Sequence, residues 1–140
     1  MYFDFATIAT ADRYKLITAT VVPRPIAWVV TQDNAGVVNA APFSFFNAVC
    51  SNPPILAISI GGAGEQDLNK DTLANIQANA QFTVCLVPAD ALDAMNVTAI
   101  ALPPDADELA EAGLTALPST TIRPPRIAES PVAFECETHQ

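Results

Sequence analysis

Histidine is almost missing from this chain: there is one, His139, beside the C-terminal residue. A Ser–His–Asp or Cys–His engine needs an imidazole held among other side chains, so such machinery is hard to assemble here. The three cysteines, Cys50, Cys85 and Cys136, share no close spacing. With a single histidine they do not make a metal site, and they read as reduced, mostly buried thiols, Cys50 among them. Basic residues are scarce as well. Six Lys and Arg stand against fifteen Asp and Glu, a formal charge of −9. Arg13, Lys15, Arg24, Lys70, Arg123 and Arg126 are spread along the chain, so no basic patch offers a nucleic-acid surface. No apolar run reaches the ~18 residues of a membrane span, because Pro, Asn, Asp or Arg breaks each one. The opening MYFDFATIATADRYK lacks the basic stretch and apolar run of a secretory signal. These absences lead us to expect a soluble cytoplasmic protein that binds neither nucleic acid nor membrane.

What is present is apolar. Of 140 residues, 51% are hydrophobic and 15% charged, and mean hydropathy is +0.29. This suits one domain, residues 1–140, with a generous core, and excludes a disordered chain. Between Val21 and Gly64 only Arg24 and Asp33 are charged, whereas Asp90 to Glu111 holds six acids and no base. The first zone reads as the buried heart of the fold and the second as a solvated helical face.

Local patterns assign most elements. Residues 25–31 (PIAWVVT) are β-branched and aromatic and too short for a helix, so they form a strand. Asp33-Asn34-Ala35-Gly36 tolerates positive φ and predicts a hairpin to a partner strand at 37–41. Phe43, Phe45 and Phe46 follow; alternation predicts Phe43 and Phe45 on one side and Phe46 on the other. A turn at Ser51-Asn52-Pro53-Pro54 precedes a strand at 55–60. Asp71 is placed to cap a helix that carries Leu73, Ile76 and Ala80 on one face. Residues 82–87 form a strand, and Leu92, Met95 and Ala99 mark a helix. Residues 104–112 look helical, with Asp105 and Glu108 spaced as a capping box and Gly113 as its stop. Pro124-Pro125 limits 122–127 to an edge strand, and 132–137 is a last strand. Several strands with inserted helices suggest a β-barrel rather than a βαβ series.

Four segments stand out in order: Val22-Pro23-Arg24-Pro25-Ile26-Ala27-Trp28-Val29-Val30-Thr31, Asn39-Ala40-Ala41-Pro42-Phe43-Ser44-Phe45-Phe46-Asn47, Ser51-Asn52-Pro53-Pro54, and Lys70-Asp71-Thr72 ahead of Asn75-Ile76. Together they resemble the flavin reductase-like family with its FMN-binding split barrel, the flavoredoxin-related group. The likeness is close from about Tyr14 to Val87 and looser over Ser130–Cys136. It implies a mainly β, Greek-key split barrel with helical excursions, a homodimer, and FMN in a groove near the dimer interface. Members of the family continue past the strand at 132–137, so the resemblance also implies a barrel whose C-terminal strands are truncated. Cover for that strand is expected from dimer contacts. By the same resemblance, Trp28 and Thr31 lie on the strand lining the flavin ring. Asn39, Ala40 and Ala41 bond its pyrimidine side, Ser44 and Phe46 hold the ribityl chain and phosphate, and Lys70 and Thr72 face the phosphate. Many family members have Ser-Thr where this chain has Val30-Thr31, which removes one hydroxyl.

Residue chemistry alone leaves several of these open. Lys70-Asp71-Thr72 combines a cation, a hydroxyl and a helix start, which suits a phosphate, yet an exposed lysine near a cap has the same pattern. Trp28 suits a core, only one of the three phenylalanines need touch a ligand, and Asn39 could serve a turn as readily as a cofactor edge. Arg24 could meet a phosphate, a subunit interface or a surface acid.

The resulting expectation is an FMN-binding oxidoreductase with no catalytic side chain of its own, in which the flavin carries hydride from NAD(P)H to an acceptor. Gly61-Gly62-Ala63-Gly64 lacks the G-x-G-x-x-G spacing, so the nicotinamide would stack directly on the flavin. Two other readings stand beside it: a non-enzymatic FMN electron carrier serving a redox partner, and a truncated barrel that has lost flavin.

Overall fold

The computed structural model describes residues 1–61, 70–100, 102–103 and 106–139. Helix α1 (Thr10–Thr20) precedes four strands: β1 (Ala27–Gln32), β2 (Val38–Phe43), β3 (Phe46–Ser51) and β4 (Pro54–Ile58). Helix α2 (Asp71–Asn79) leads into β5 (Gln81–Cys85), and a 3₁₀ turn at Ala89–Ala91 runs on into α3 (Leu92–Val97). Helix α4 (Glu108–Glu111), then β6 (Ala116–Leu117), β7 (Arg126–Ile127) and β8 (Ala133–Glu137) complete the described elements. Antiparallel pairing builds one sheet in the order β2-β1-β5-β8, a β3–β4 hairpin and a short β6–β7 ladder.

Strand β1 explains the charge-free zone. Ala27 through Thr31 are all fully buried, because both faces of the sheet are covered and successive side chains point to opposite faces. Ala27 and Val29 enter a core with Phe43 and Val84, completed by Phe46, Leu56, Ile58, Ile76 and Phe82 from the β3–β4 hairpin, α2 and β5. Trp28 and Val30 enter the other core with Ala40, Cys85, Met95, Leu109 and Ile127. Burying a side chain of this size contributes about 1.5–3 kcal/mol, so strand and cores support one another.

The β1–β2 turn forms as expected. Asp33 accepts a bond from the Val37 N–H at 2.7 Å through its carboxylate, and Gly36 takes φ +95°, which suits a residue without Cβ. Strand β2 runs through Pro42, beyond the expected end at 41. It can do so because β2 is an edge strand, where a missing N–H costs no ladder bond.

Elsewhere the structure corrects the sequence reading. Helix α1 carries no pattern that announced it, since none of its residues is buried. Asp71 is the first helical residue of α2 rather than its cap; Lys70 is the N-cap, without a side-chain cap bond. Phe43 and Phe46 share a core, while Phe45 turns to Tyr14 of α1, with ring centroids 6.1 Å apart. The turn between β2 and β3 interrupts the alternation. Cys50 is exposed, not buried, because β3 presents an open outer face. Helix α4 is capped by Asp107, whose carboxylate accepts from the Leu109 and Ala110 N–H groups. The expected cap Asp105 lies outside the described residues, as does most of Gly61–Gly64. Gly113 does stop this helix, with φ +67°. Its acidic stretch is not all solvated: Glu108 is only 7% exposed.

Candidate functional site

At Thr31 the inner face of the sheet changes from apolar to polar. Thr31 on β1 and Asn39 on β2 are register partners, and α2 crosses above them, presenting Thr72, Asn75 and Asn79 at helical spacing. The Thr72 hydroxyl donates to Asn39 Oδ1 at 2.8 Å, and the Thr31 hydroxyl donates to the same oxygen at 3.3 Å. Asn75 Nδ2 donates to Thr31 Oγ1 at 3.1 Å, and Asn79 Nδ2 to the Gln32 carbonyl at 2.9 Å. From the far side, α4 sends in Glu108. Its Oε1 accepts from Asn39 Nδ2 at 2.7 Å, and its Oε2 accepts from the Ala40 N–H at 3.1 Å. That N–H belongs to the outer edge of β2, so the carboxylate covers part of a strand edge that would otherwise be unpaired. Burial pushes the Glu108 carboxyl above its usual range; the bonds from Ala40 and Asn39 oppose this, and the Asp71 charge adds to it.

Next to this network lies the start of α2. The Lys70 Nζ sits 5.5 Å from the centroid of the Phe43 ring, which brings it beside the β2–β3 turn that holds Ser44. Ser44 Oγ accepts from Arg24 Nε at 3.2 Å, and the same guanidinium bonds the Thr18 and Val21 carbonyls through Nη1, each at 2.8 Å. Arg24 therefore ties α1 to this corner, resolving its open role as an internal tether. Lys70, the Ser44 hydroxyl and a helix start without a side-chain cap make a donor set that suits an anionic group.

The candidate residues thus divide. Thr31, Asn39, Ala41, Phe46, Lys70, Thr72 and Ser44 belong to the inner face or its rim. Trp28 and Ala40 point the other way, into the outer core. The Trp28 ring is fully buried and its Nε1 donates to Thr98 Oγ1 at 2.9 Å, so the structure does not bring that ring to the cluster. Thr72 is only 2% exposed, with its hydroxyl proton committed to Asn39.

Two cavities lie nearby. A small one of about 140 Å³ is lined by Asp33, Val37, Asn39, Asp71, Asn75, Ala106 and Glu108, too small for a ligand of flavin size. A larger groove of about 760 Å³ runs between β4, α2 and β8. It has the volume, but none of the candidate residues lines it, and Glu135 and Glu137 at its rim would repel a phosphate. The corner formed by Ser44 and Lys70 is the better match to an anion.

Sequence reasoning missed Glu108, Asn75 and Asn79. The asparagines left a signal: with Thr72 they form a polar stripe at i, i+3 and i+7 on α2. Glu108 left a misleading one, since its spacing from Asp105 imitates a capping box.

The chain matches the flavin reductase like domain over residues 19–140. It belongs to that family. An uncharacterized protein of Halalkalibacterium halodurans is 42% identical over 131 residues, covering 94% of this chain and 62% of that protein. Nitrilotriacetate monooxygenase component B from Bacillus cereus is 35% identical with a TM-score of 0.92, covering 100% of this chain and 68% of that one. The 2-nitrobenzoate 2-nitroreductase of Pseudomonas fluorescens is 34% identical with a TM-score of 0.88, covering 100% and 66%. The chain spans less than two thirds of the length of the curated relatives it matches. The mainly β architecture described above is accordingly the flavin reductase-like split barrel. Among the described residues no helix is long and apolar enough to cross a membrane.

Proposed function

We propose that this flavin reductase-like chain is an FMN-binding oxidoreductase, acting in the cytoplasm, that draws reducing equivalents from NAD(P)H and delivers them to an acceptor. One observation carries the reading. The start of α2 bridges the second motif: Lys70 lies over Phe43, the residue before Ser44, while Thr72 bonds Asn39 at the other end of β2. Lys70 and the first turn of α2 would hold the FMN phosphate, with Ser44 and Phe46 along the ribityl chain. Ala41 would border the ring, and Thr31 and Asn39, buried under α2, would support it from beneath, with Trp28 and Ala40 behind the strands. Bound flavin supplies the redox chemistry by accepting hydride and passing on electrons. The protein's share is to bind, orient and exclude water, which agrees with a site built of amides and hydroxyls rather than an acid–base pair.

Two features support the proposed assembly. Tyr2, Phe3, Phe5, Tyr14, Ile17, Val21 and Val22 are exposed along and around α1, an apolar surface of the kind that pairs subunits, and we assign the homodimer contact to it. The name of the Bacillus cereus protein, a monooxygenase component, favours a separate acceptor protein for this chain too.

The test is direct. The protein, purified without added flavin, is expected to show a flavin spectrum, to release FMN on denaturation, and to oxidise NADH or NADPH when an acceptor is supplied. A colourless protein that takes up no added FMN would overturn the reading.

A further inference from the structure

The polar network beneath the proposed site has a direction, and one residue imposes it. An ionised carboxylate can only accept hydrogen bonds, whereas an amide or a hydroxyl can do either. Glu108 is the acceptor-only end of the chain of bonds. Because its Oε1 meets the Asn39 side chain at 2.7 Å, Asn39 must turn its NH₂ toward Glu108 and its carbonyl oxygen toward α2. That oxygen can then only receive, so the Thr72 and Thr31 hydroxyls both donate to it. Thr31 Oγ1 in turn accepts from Asn75. Two side chains of α2 are thereby fixed against β1 and β2, and one of them, Thr72, belongs to the same first turn as Asp71, immediately after Lys70. With the opposite amide orientation, Asn39 would set its carbonyl oxygen against the acceptor-only Glu108 carboxylate, and the Thr72 and Thr31 hydroxyls would have to accept from Asn39 and place their own protons elsewhere.

We propose that Glu108 is a positioning residue for the flavin site: it orients Asn39, and through Asn39 it holds the first turn of α2 and Lys70 where the cofactor's anionic end is met. Glu108 itself touches no ligand. It acts from α4, on the opposite side of β2, and its second oxygen anchors it by accepting the edge N–H of Ala40. This inference rests on the FMN reading above, but it adds a residue 36 positions beyond Thr72, on an element that no flavin motif includes.

The bond pattern specifies its own test, an exchange of acid and amide. In Glu108→Gln alone, with Asn39 in its present orientation, an NH₂ group confronts the Asn39 NH₂ or the Ala40 N–H, and the way out, a flip of Asn39, reverses its bonds to Thr72 and Thr31. In Asn39→Asp alone, two carboxylates face each other. In the double variant every bond can reform. The amide introduced on α4 accepts from the Ala40 N–H and donates to the carboxylate introduced on β2, and that carboxylate accepts from Thr72 and Thr31. FMN affinity, followed by quenching of FMN fluorescence, and thermal stability are measured on all four proteins. Each single variant is expected to weaken FMN binding by at least about tenfold, a factor that corresponds to about 1.4 kcal/mol, and the double variant to return to within about threefold of the parent. Should the single variants fail to fold, the double variant against the parent decides the matter by the same threefold criterion. A Glu108→Gln protein that is folded and binds FMN as tightly as the parent overturns the inference, as does a double variant that stays weak or does not fold. A parent that takes up no FMN overturns the reading of the site instead; a parent that binds while the exchange fails to restore affinity overturns the role of Glu108 alone.

Discussion

The two faces of β1 are made from adjacent residues and have opposite characters. Trp28 and Val30 enter a core closed by α3, α4 and β7, where the polar atom of Trp28 is satisfied internally by Thr98. Ala27, Val29 and Thr31 face the hairpin and α2, and along that face an apolar start gives way to the Thr31–Asn39–Thr72 network. The outer face contributes stability with no polar atom aimed at a ligand. The inner face devotes its last third to hydrogen bonds that orient a helix start. A barrel strand can thus join two differently built layers, an apolar core and a polar network, because the pleat separates them by a single residue.

Substitutions on each face sharpen this contrast. Trp28→Ala is expected to cost the most, about 3–5 kcal/mol of stability, read by chemical denaturation; a loss below about 1 kcal/mol would mean the outer core is not the structural one. Lys70→Ala, on the inner rim, should leave stability nearly unchanged yet weaken FMN binding by about 1–3 kcal/mol. Unaltered affinity in that variant would remove Lys70 from the phosphate site.

A smaller effect depends on pH. The carboxyl of Glu108 is raised by burial, so its ionised form is less favoured in the folded chain than in the unfolded one. Its contribution is therefore largest below the unfolded carboxylate value of about 4.3 and is lost as pH rises through the folded pKa. Asp71 from α2 and Asp33 from the β1–β2 turn line the same small cavity, and both are acids, so neither reverses the sign. Comparing the stability of the parent with Glu108→Gln from about pH 4 to about pH 8 should show the parent losing ground as pH rises from the unfolded carboxylate value through the raised folded one, with a constant difference above it. A difference flat over the whole range would place this carboxyl in water. Ala80 gives the smallest effect. It ends α2 with φ +59°, a left-handed conformation that favours glycine, and Ala80→Gly should stabilise the protein by about 0.5–1 kcal/mol, raising the melting temperature by a few degrees.

Much of the inner face could be read from the chain. The β1 segment, the Asp33–Gly36 turn and the start of α2 are written in neighbouring residues, so periodicity and turn chemistry suffice. Phe45 and Phe46 escape that reading because the turn between β2 and β3 breaks the alternation on which it relies. Cys50 escapes it because a hydrophobic sequence environment does not reveal which side of a hairpin stays open.

Composition and local pattern determined that this chain folds as a β structure with helical insertions and carries a cation at a helix start. Those properties depend on residues within a few positions of each other. Only the tertiary structure decided that Trp28 faces away from the candidate site and that Glu108 faces toward it. The Asn39–Glu108 bond spans 69 residues, and the sequence near Glu108 equally fits a solvated helix. The choice was made by an unpaired strand edge and a buried amide, which could be satisfied together by one carboxylate.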